Sequence, residues 1–174
     1  MVASTMGYLR VVRVLLRLGP RVSVADNDGA TALHLSIVNK HLAVSKALIK
    51  AGADVEARGV DGTPLHVAAA KGFHKGMVML IHAGANVDSE QEGGATPLYI
   101  SARQGRLEDV KVLIGAKANP LLPAYDGEKA SRWTRRLKTD TWKLSANLYS
   151  DSESTVVLVT VARKLSWRPL LRIK

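Results

Sequence analysis

The residue types that could do acid-base, nucleophilic or metal chemistry are few in this chain, and their spacing does not suit it. His34 and His66 stand in the same local setting, "TALHLS" and "TPLHVA", but a third copy, "TPLYIS", carries Tyr99 there. A ligand or base role would not survive that replacement. His74 and His82 lie eight residues apart on one predicted helix, whereas a zinc pair on a helix uses i, i+4 spacing. All five histidines, His41 included, are therefore read as structural. Carboxylates pair only locally, Glu90 with Glu92 and Glu108 with Asp109, which is the ordinary pattern of a solvated face. "GGAT" at 93–96 lacks the lysine and spacing of a phosphate-binding loop, and no serine lies in a nucleophile elbow. Cysteine is absent, which removes disulfide and thiolate chemistry. The expectation is no catalytic residue, no metal site and no cofactor.

The elements that carry these side chains repeat. "TALHLS" begins at Thr31, "TPLHVA" at Thr63 and "TPLYIS" at Thr96, and glycines at Gly19, Gly52 and Gly84 close the apolar runs "VLLRLG", "ALIKAG" and "MLIHAG". The period is 32 to 33 residues, and such self-similarity decides the fold before any single residue does. Each repeated letter has a physical task. Threonine can accept from the free N–H groups of the helix it opens, proline next to it has no N–H to lose, and the following leucine points inward. Leu9, Val12, Leu15 and Leu16 fall at helical spacing, as do His74, Met77, Leu80 and Ile81 and then Leu107, Val110, Leu113 and Ile114. This predicts a second helix with one apolar face in each copy. A glycine after it suits the left-handed conformation that ends a helix.

"DGTPLHVAAAKGF" followed by "LIHAGANVD" resembles the ankyrin repeat, in register over roughly residues 7 to 127. The resemblance implies an all-α repeat solenoid of antiparallel helix pairs, with hairpin loops projecting from it and a concave face that grips partner proteins. It also implies that the ring at His34 and His66 holds the turn by hydrogen bonds. Partner contacts are expected from the loop residues before each threonine, namely Asn27, Asp28, Arg58, Val60, Asp61, Glu90 and Glu92. The ends of the first helices are expected to add Val38, Asn39, Ala70, Lys71, Arg103 and Gln104. Arg58, Lys71 and Arg103 are the three expected to pair with carboxylates of the partner. Three departures from the pattern stand out: the second loop is one residue short between Gly52 and Thr63, Ala32 replaces the usual proline, and Lys117 replaces the terminal glycine.

Both ends of the array depart further. "GYLRVVRVLLRLG" matches a second helix and its terminal glycine, yet only six residues precede it, too few for the first helix of that unit. At the other end "DGEKASRW" keeps the register through Gly127 and then places Lys129 where the capping threonine belongs. The expectation is an array over 1–127, with three whole units between two partial ones, and a basic tail over 128–174. The tail segment 121–140 could cap the last unit through Leu121, Leu122, Trp133 and Leu137. "WKLSANLY" and "TVVLVTV" read either as a hairpin or as a tail with an aggregation-prone segment.

Charge is uneven. Residues 1–120 carry 14 Lys/Arg against 10 Asp/Glu, and residues 121–174 carry 11 against 5. The tail is thereby open to acidic partners, although few aromatics are interleaved and nucleic acid is not the expected ligand. No apolar run approaches the roughly 20 residues of a membrane span. A monomer in the cytoplasm or nucleus is expected. The basic segment 1–24 offers a rival reading as a mitochondrial targeting sequence, which its register with the later units explains better. Function is expected to be protein binding by a scaffold. The alternatives are contact with an anionic surface or nucleic acid through the tail, and an accessory fragment of a larger enzyme.

Overall fold

The computed structural model describes residues 1–119, which hold eight α-helices: α1 (Val2–Thr5), α2 (Leu9–Arg17), α3 (Ala32–Val38), α4 (Leu42–Lys50), α5 (Pro64–Lys71), α6 (His74–His82), α7 (Pro97–Arg103) and α8 (Leu107–Gly115). The expected cap over 121–140 and the expected strands at 142–161 lie outside the described residues. The first helices α1, α3, α5 and α7 pack side by side in chain order, and the second helices α2, α4, α6 and α8 form a parallel row against them. No strand occurs among the described residues, where β pairing is confined to isolated bridges such as Ala25 with Thr31. The result is a helical solenoid.

Local chemistry explains where the helices begin. Thr31, Thr63 and Thr96 precede α3, α5 and α7 with extended backbone, ψ 170, 165 and 161, and Pro64 and Pro97 take the first helical position of two of them. Leu33, Ile37, Leu65, Met77, Leu80 and Leu113 are fully buried and form the spine of the core between the two rows.

Two differences from the sequence expectation concern the N-terminal unit. The residues ahead of Gly7 do form a helix, one turn long, and α1 packs on both α2 and α3 with Ser4 buried. One turn is enough to seat Ser4 in the register of the later first helices, although it cannot cover a whole second helix. Accordingly Val12 is buried in α2 and Leu9 and Leu16 are half-buried, but Leu15 is exposed.

The turns within and after each pair require a left-handed residue, and in two places that residue is lysine. Lys40 has φ 59 at the position that Gly72 and Gly105 hold with φ 59 and 69, and Lys117 has φ 68 where other units end on glycine. A side chain there crowds its own carbonyl, at a cost of roughly 1–2 kcal/mol. Lys40→Gly should therefore raise unfolding stability by about 1 kcal/mol, read as a higher denaturant midpoint. No gain would mean that Lys40 is held by contacts worth as much as the strain.

Candidate partner-binding face

The face expected to bind is made of loops, and loops present side chains usefully only if they are held. In this array they are held first by histidine. His34 Nδ1 accepts from the backbone N–H of Thr31 at 3.2 Å and also lies 3.0 Å from the Thr31 hydroxyl. Its Nε2 donates to the carbonyl of Gly62, one unit further on, at 3.1 Å. His66 repeats the arrangement with Thr63 N–H at 3.2 Å, the Thr63 hydroxyl at 2.8 Å and the Ala95 carbonyl at 3.0 Å. A carbonyl can only accept, so Nε2 must carry the proton and Nδ1 is left to accept. Each ring therefore caps its own helix and pins the next unit. Burial favours the neutral ring, lowering the pKa of His34 and pushing that of His66 down to about 4, where the charge of Arg58 acts in the same direction.

A second set of ties recurs at the loop bases. Ser23 Oγ accepts from Asp54 N–H at 3.4 Å, Glu56 Oε1 from Asn86 N–H at 2.9 Å and Asp88 Oδ1 from Asn119 N–H at 2.7 Å. Ser23, Glu56 and Asp88 share one register position, and so do Asp54, Asn86 and Asn119. That common period is the signal by which this ladder could have been found in the sequence. At the loop tips the backbone N–H of Val60 donates to the Asp28 carbonyl at 2.9 Å, and Arg58 Nη1 donates to the Glu90 carbonyl at 2.8 Å.

On this frame Asn27, Asp28, Arg58, Val60, Asp61, Glu90 and Glu92 are exposed on the loops. Asn39, Ala70, Lys71, Arg103 and Gln104 are exposed at the ends of α3, α5 and α7, and Val38 is half-buried. The loop tips are thus acidic apart from Arg58, while the helix ends carry Lys71 and Arg103. Several of these residues already have work inside the array, Val60, Asp28 and Glu90 among them through the loop contacts above. Arg58 bridges two loops, Asn39 Nδ2 donates to the Leu35 carbonyl at 2.9 Å, and the Ala70 carbonyl accepts from Arg106 Nη2 at 3.1 Å. Arg106, which the sequence did not mark, also donates to the Ala69 carbonyl at 2.7 Å and so closes the end of α5 from the following unit.

Two expectations about chemistry change. Asp109 is not on a solvated face: it is buried on α8 and accepts from His74 Nδ1 on α6 at 3.2 Å, an inter-unit contact between residues 35 apart. Its neighbour Glu108 is exposed and pairs with Lys111 at 3.0 Å, as a surface carboxylate does. His41 is structural, donating from Nε2 to the Thr5 carbonyl at 3.0 Å. His82, by contrast, is exposed on the last turn of α6, and its ring makes no hydrogen bond to any of the described residues, so the structural reading fails for it. Among the described residues no cluster of three His, Asp or Glu could hold a metal ion, and no helix is long and apolar enough to cross a membrane.

A family model for ankyrin repeats in three copies matches residues 1–59 and 57–123. The tyrosine-protein kinase Shark of Drosophila melanogaster is 36% identical over 129 residues, which are 72% of this chain and 14% of the kinase. The nuclear factor NF-kappa-B p105 subunit of Mus musculus is 30% identical over 134 residues, 71% of this chain and 14% of that protein. NF-kappa-B inhibitor alpha of Gallus gallus is 34% identical over 122 residues, 61% of this chain and 38% of the inhibitor. The chain thus spans a small part of the length of these relatives. Ankyrin repeats generally mediate protein–protein contact and are typically not enzymes themselves, although some relatives are larger enzymes. The repeated helix pairs, the threonine-histidine caps and these matches together place the chain in the ankyrin repeat family.

Proposed function

We propose that the chain is a non-catalytic scaffold that holds a partner protein across its loop tips and first-helix ends. The observation that supports this most is the locking of successive loops to one another, through Val60 to Asp28 and Arg58 to Glu90. A surface that is already ordered loses little entropy on binding. Its acidic tips and basic helix ends favour a partner that presents the opposite bands, and arginine is enriched among residues that dominate interface energy. One relative is named for inhibiting another protein, NF-kappa-B, and inhibition by contact needs no catalytic group. The expected state is a monomer.

Lys71 and Arg103 are the discriminating residues, because neither side chain has a hydrogen bond or ion pair among the described residues, whereas that of Arg58 does. Replacing both with glutamate should weaken capture of the native partner about tenfold or more, with an unchanged melting curve, in a quantitative pulldown with the whole chain. Capture that survives this reversal would place the binding surface elsewhere. In a longer protein the same array would bring its partner to an accompanying catalytic segment, and the binding role would be unchanged. Contact of the basic tail with a polyanion would instead show as binding that salt abolishes and that Lys71 and Arg103 do not affect.

A further inference from the structure

Charge in the array is sorted by element. α2, α4 and α6 contain no aspartate or glutamate, and between them they carry Arg10, Arg13, Arg17, Lys46, Lys50 and Lys75, all exposed. Eight of the ten acidic residues within 1–120 lie instead in the loops 20–30, 53–62 and 85–95. The six cations also share a side. Arg13 and Lys46 hold one register position, Arg17 and Lys50 hold another that His82 continues, and Arg10 and Lys75 hold a third. At about 100° per residue these three positions fall within about 60° of helix surface. α2 packs on α4 and α4 on α6, and with axes about 8–10 Å apart the cations form a patch roughly 20 Å by 10 Å. Lys46, Lys50 and Lys75 stay exposed although α4 and α6 are flanked on both sides, so the patch does not depend on where the array begins. None of the six side chains has a hydrogen bond or ion pair among the described residues. The patch ends at α8, where Glu108 takes the position of Arg10 and Lys75 and pairs with Lys111.

Helix stability does not account for this pattern. Arg17 and Lys50 end their helices, where the macrodipole favours a cation, but Arg10 and Lys75 are the second residues of α2 and α6, where it disfavours one. Arg13 with Arg17, and Lys46 with Lys50, are like-charge pairs at i, i+4, which repel. A bound anion relieves both effects. Shape then selects among anions. Cations spread over three helices side by side present a plane, which a leaflet of anionic lipid meets with all of them at once. A nucleic-acid strand follows a line and is held partly by aromatic stacking, and α2, α4 and α6 contain no Phe, Tyr or Trp. A duplex is read by an element that enters a groove, whereas these helices are packed against one another. An acidic protein helix would cover one seam of the patch and leave the rest in water.

We propose that the cationic side of α2, α4 and α6 adsorbs to a membrane leaflet of anionic phospholipid, with Arg10, Arg13, Arg17, Lys46, Lys50 and Lys75 against the headgroups. The same leaflet repels the carboxylates of the loops, so the loop tips are kept off it and remain free for a protein partner. Each cation at such a surface strengthens association about fivefold. The test is cosedimentation of the whole chain with vesicles of phosphatidylcholine containing phosphatidylserine, beside vesicles of phosphatidylcholine alone, with fluorescent polyuridylate as a separate arm read by anisotropy. Three variants change the net charge equally: Arg13→Gln, Arg17→Gln, Lys46→Gln and Lys50→Gln together on the patch, Arg132→Gln, Arg135→Gln, Arg136→Gln and Lys138→Gln together in the tail, and Lys71→Glu with Arg103→Glu at the first-helix ends. The patch variant should bind phosphatidylserine vesicles more than about tenfold more weakly, and the other two should lose less. Its urea midpoint should be no lower than the parent's, because two repelling pairs are gone. Arg10→Gln with Lys75→Gln, which removes cations from two helix N-termini, should by itself weaken vesicle binding about fivefold or more, and this decides the matter if the fourfold patch variant fails to fold. The proposal is overturned if the tail or first-helix-end variant weakens vesicle binding as much as the patch variant does, if phosphatidylcholine alone binds as well, or if polyuridylate depends on the patch as the vesicles do.

Discussion

Between pH 6.5 and about 4 the array should lose about 3 kcal/mol of stability through His66 alone. The unfolded chain protonates this ring near 6.5 and the folded chain only near about 4, so within that window the unfolded state holds more protons. Stability therefore falls as pH falls through the window and is fully present above it, where the ring is neutral in both states. The cause is geometric as well as dielectric. His66 is fully buried, and Nδ1 must accept from Thr63 N–H. A protonated ring would point an N–H at an N–H. His34 shifts in the same direction for the same reason and adds to the loss. Denaturant unfolding at a series of pH values checks this, with His66→Asn measured in parallel to remove the titrating group. The variant should be less stable at neutral pH and flatter with pH. Equal slopes for both proteins would show that His66 is not the group responsible.

Leu80→Ala should cost about 3 kcal/mol or more, in the range of buried leucine truncations that leave a cavity. Leu15→Ala should cost below about 1 kcal/mol, because its side chain is already half in water. Both leucines occupy the same place in the repeat, in "VLLRLG" and "MLIHAG". Leu80 lies on α6, between α4 and α8, so its loss loosens two inter-helix contacts in a stack where each unit is stabilised by its neighbours. Urea midpoints of the two variants beside the parent chain test the contrast. Similar losses would mean that Leu15 is covered in solution.

This pair of leucines shows what the sequence could and could not disclose. The period, the threonine caps and the terminal glycines are local signals, set by backbone conformation within a few residues, and they placed the helix pairs. The part played by both histidines in the turn came from the resemblance to the family, and it is the three-residue spacing of Thr31 and His34 that lets the ring reach the cap. Burial is a property of neighbours, so no letter in "VLLRLG" records that Leu15 is more exposed than Leu80. The same limit applies to Asp109, whose adjacency to Glu108 resembled a surface pair until α6 brought His74 to it. Lys40 hid a left-handed turn because glycine is the usual signal for one. At the candidate face, exposure of the loop residues was legible, but the engagement of Arg58 by the Glu90 carbonyl was not, because it depends on the spacing between two units.

The two histidine pins also bear on how such a surface can diversify. The acceptor is Gly62 for His34 and Ala95 for His66, and in both cases it is the residue immediately before the next capping threonine. The loop from Gly52 to Thr63 is nonetheless one residue shorter than the loop from Gly84 to Thr96. The deletion was absorbed on the outward side of the pinned carbonyl, and the phase of the stack did not change. What is inherited rigidly is therefore a single carbonyl and its threonine, while the tip beyond them is free to gain or lose residues. Mutation can rewrite the presented loops, in length as well as in sequence, without renegotiating the architecture that presents them.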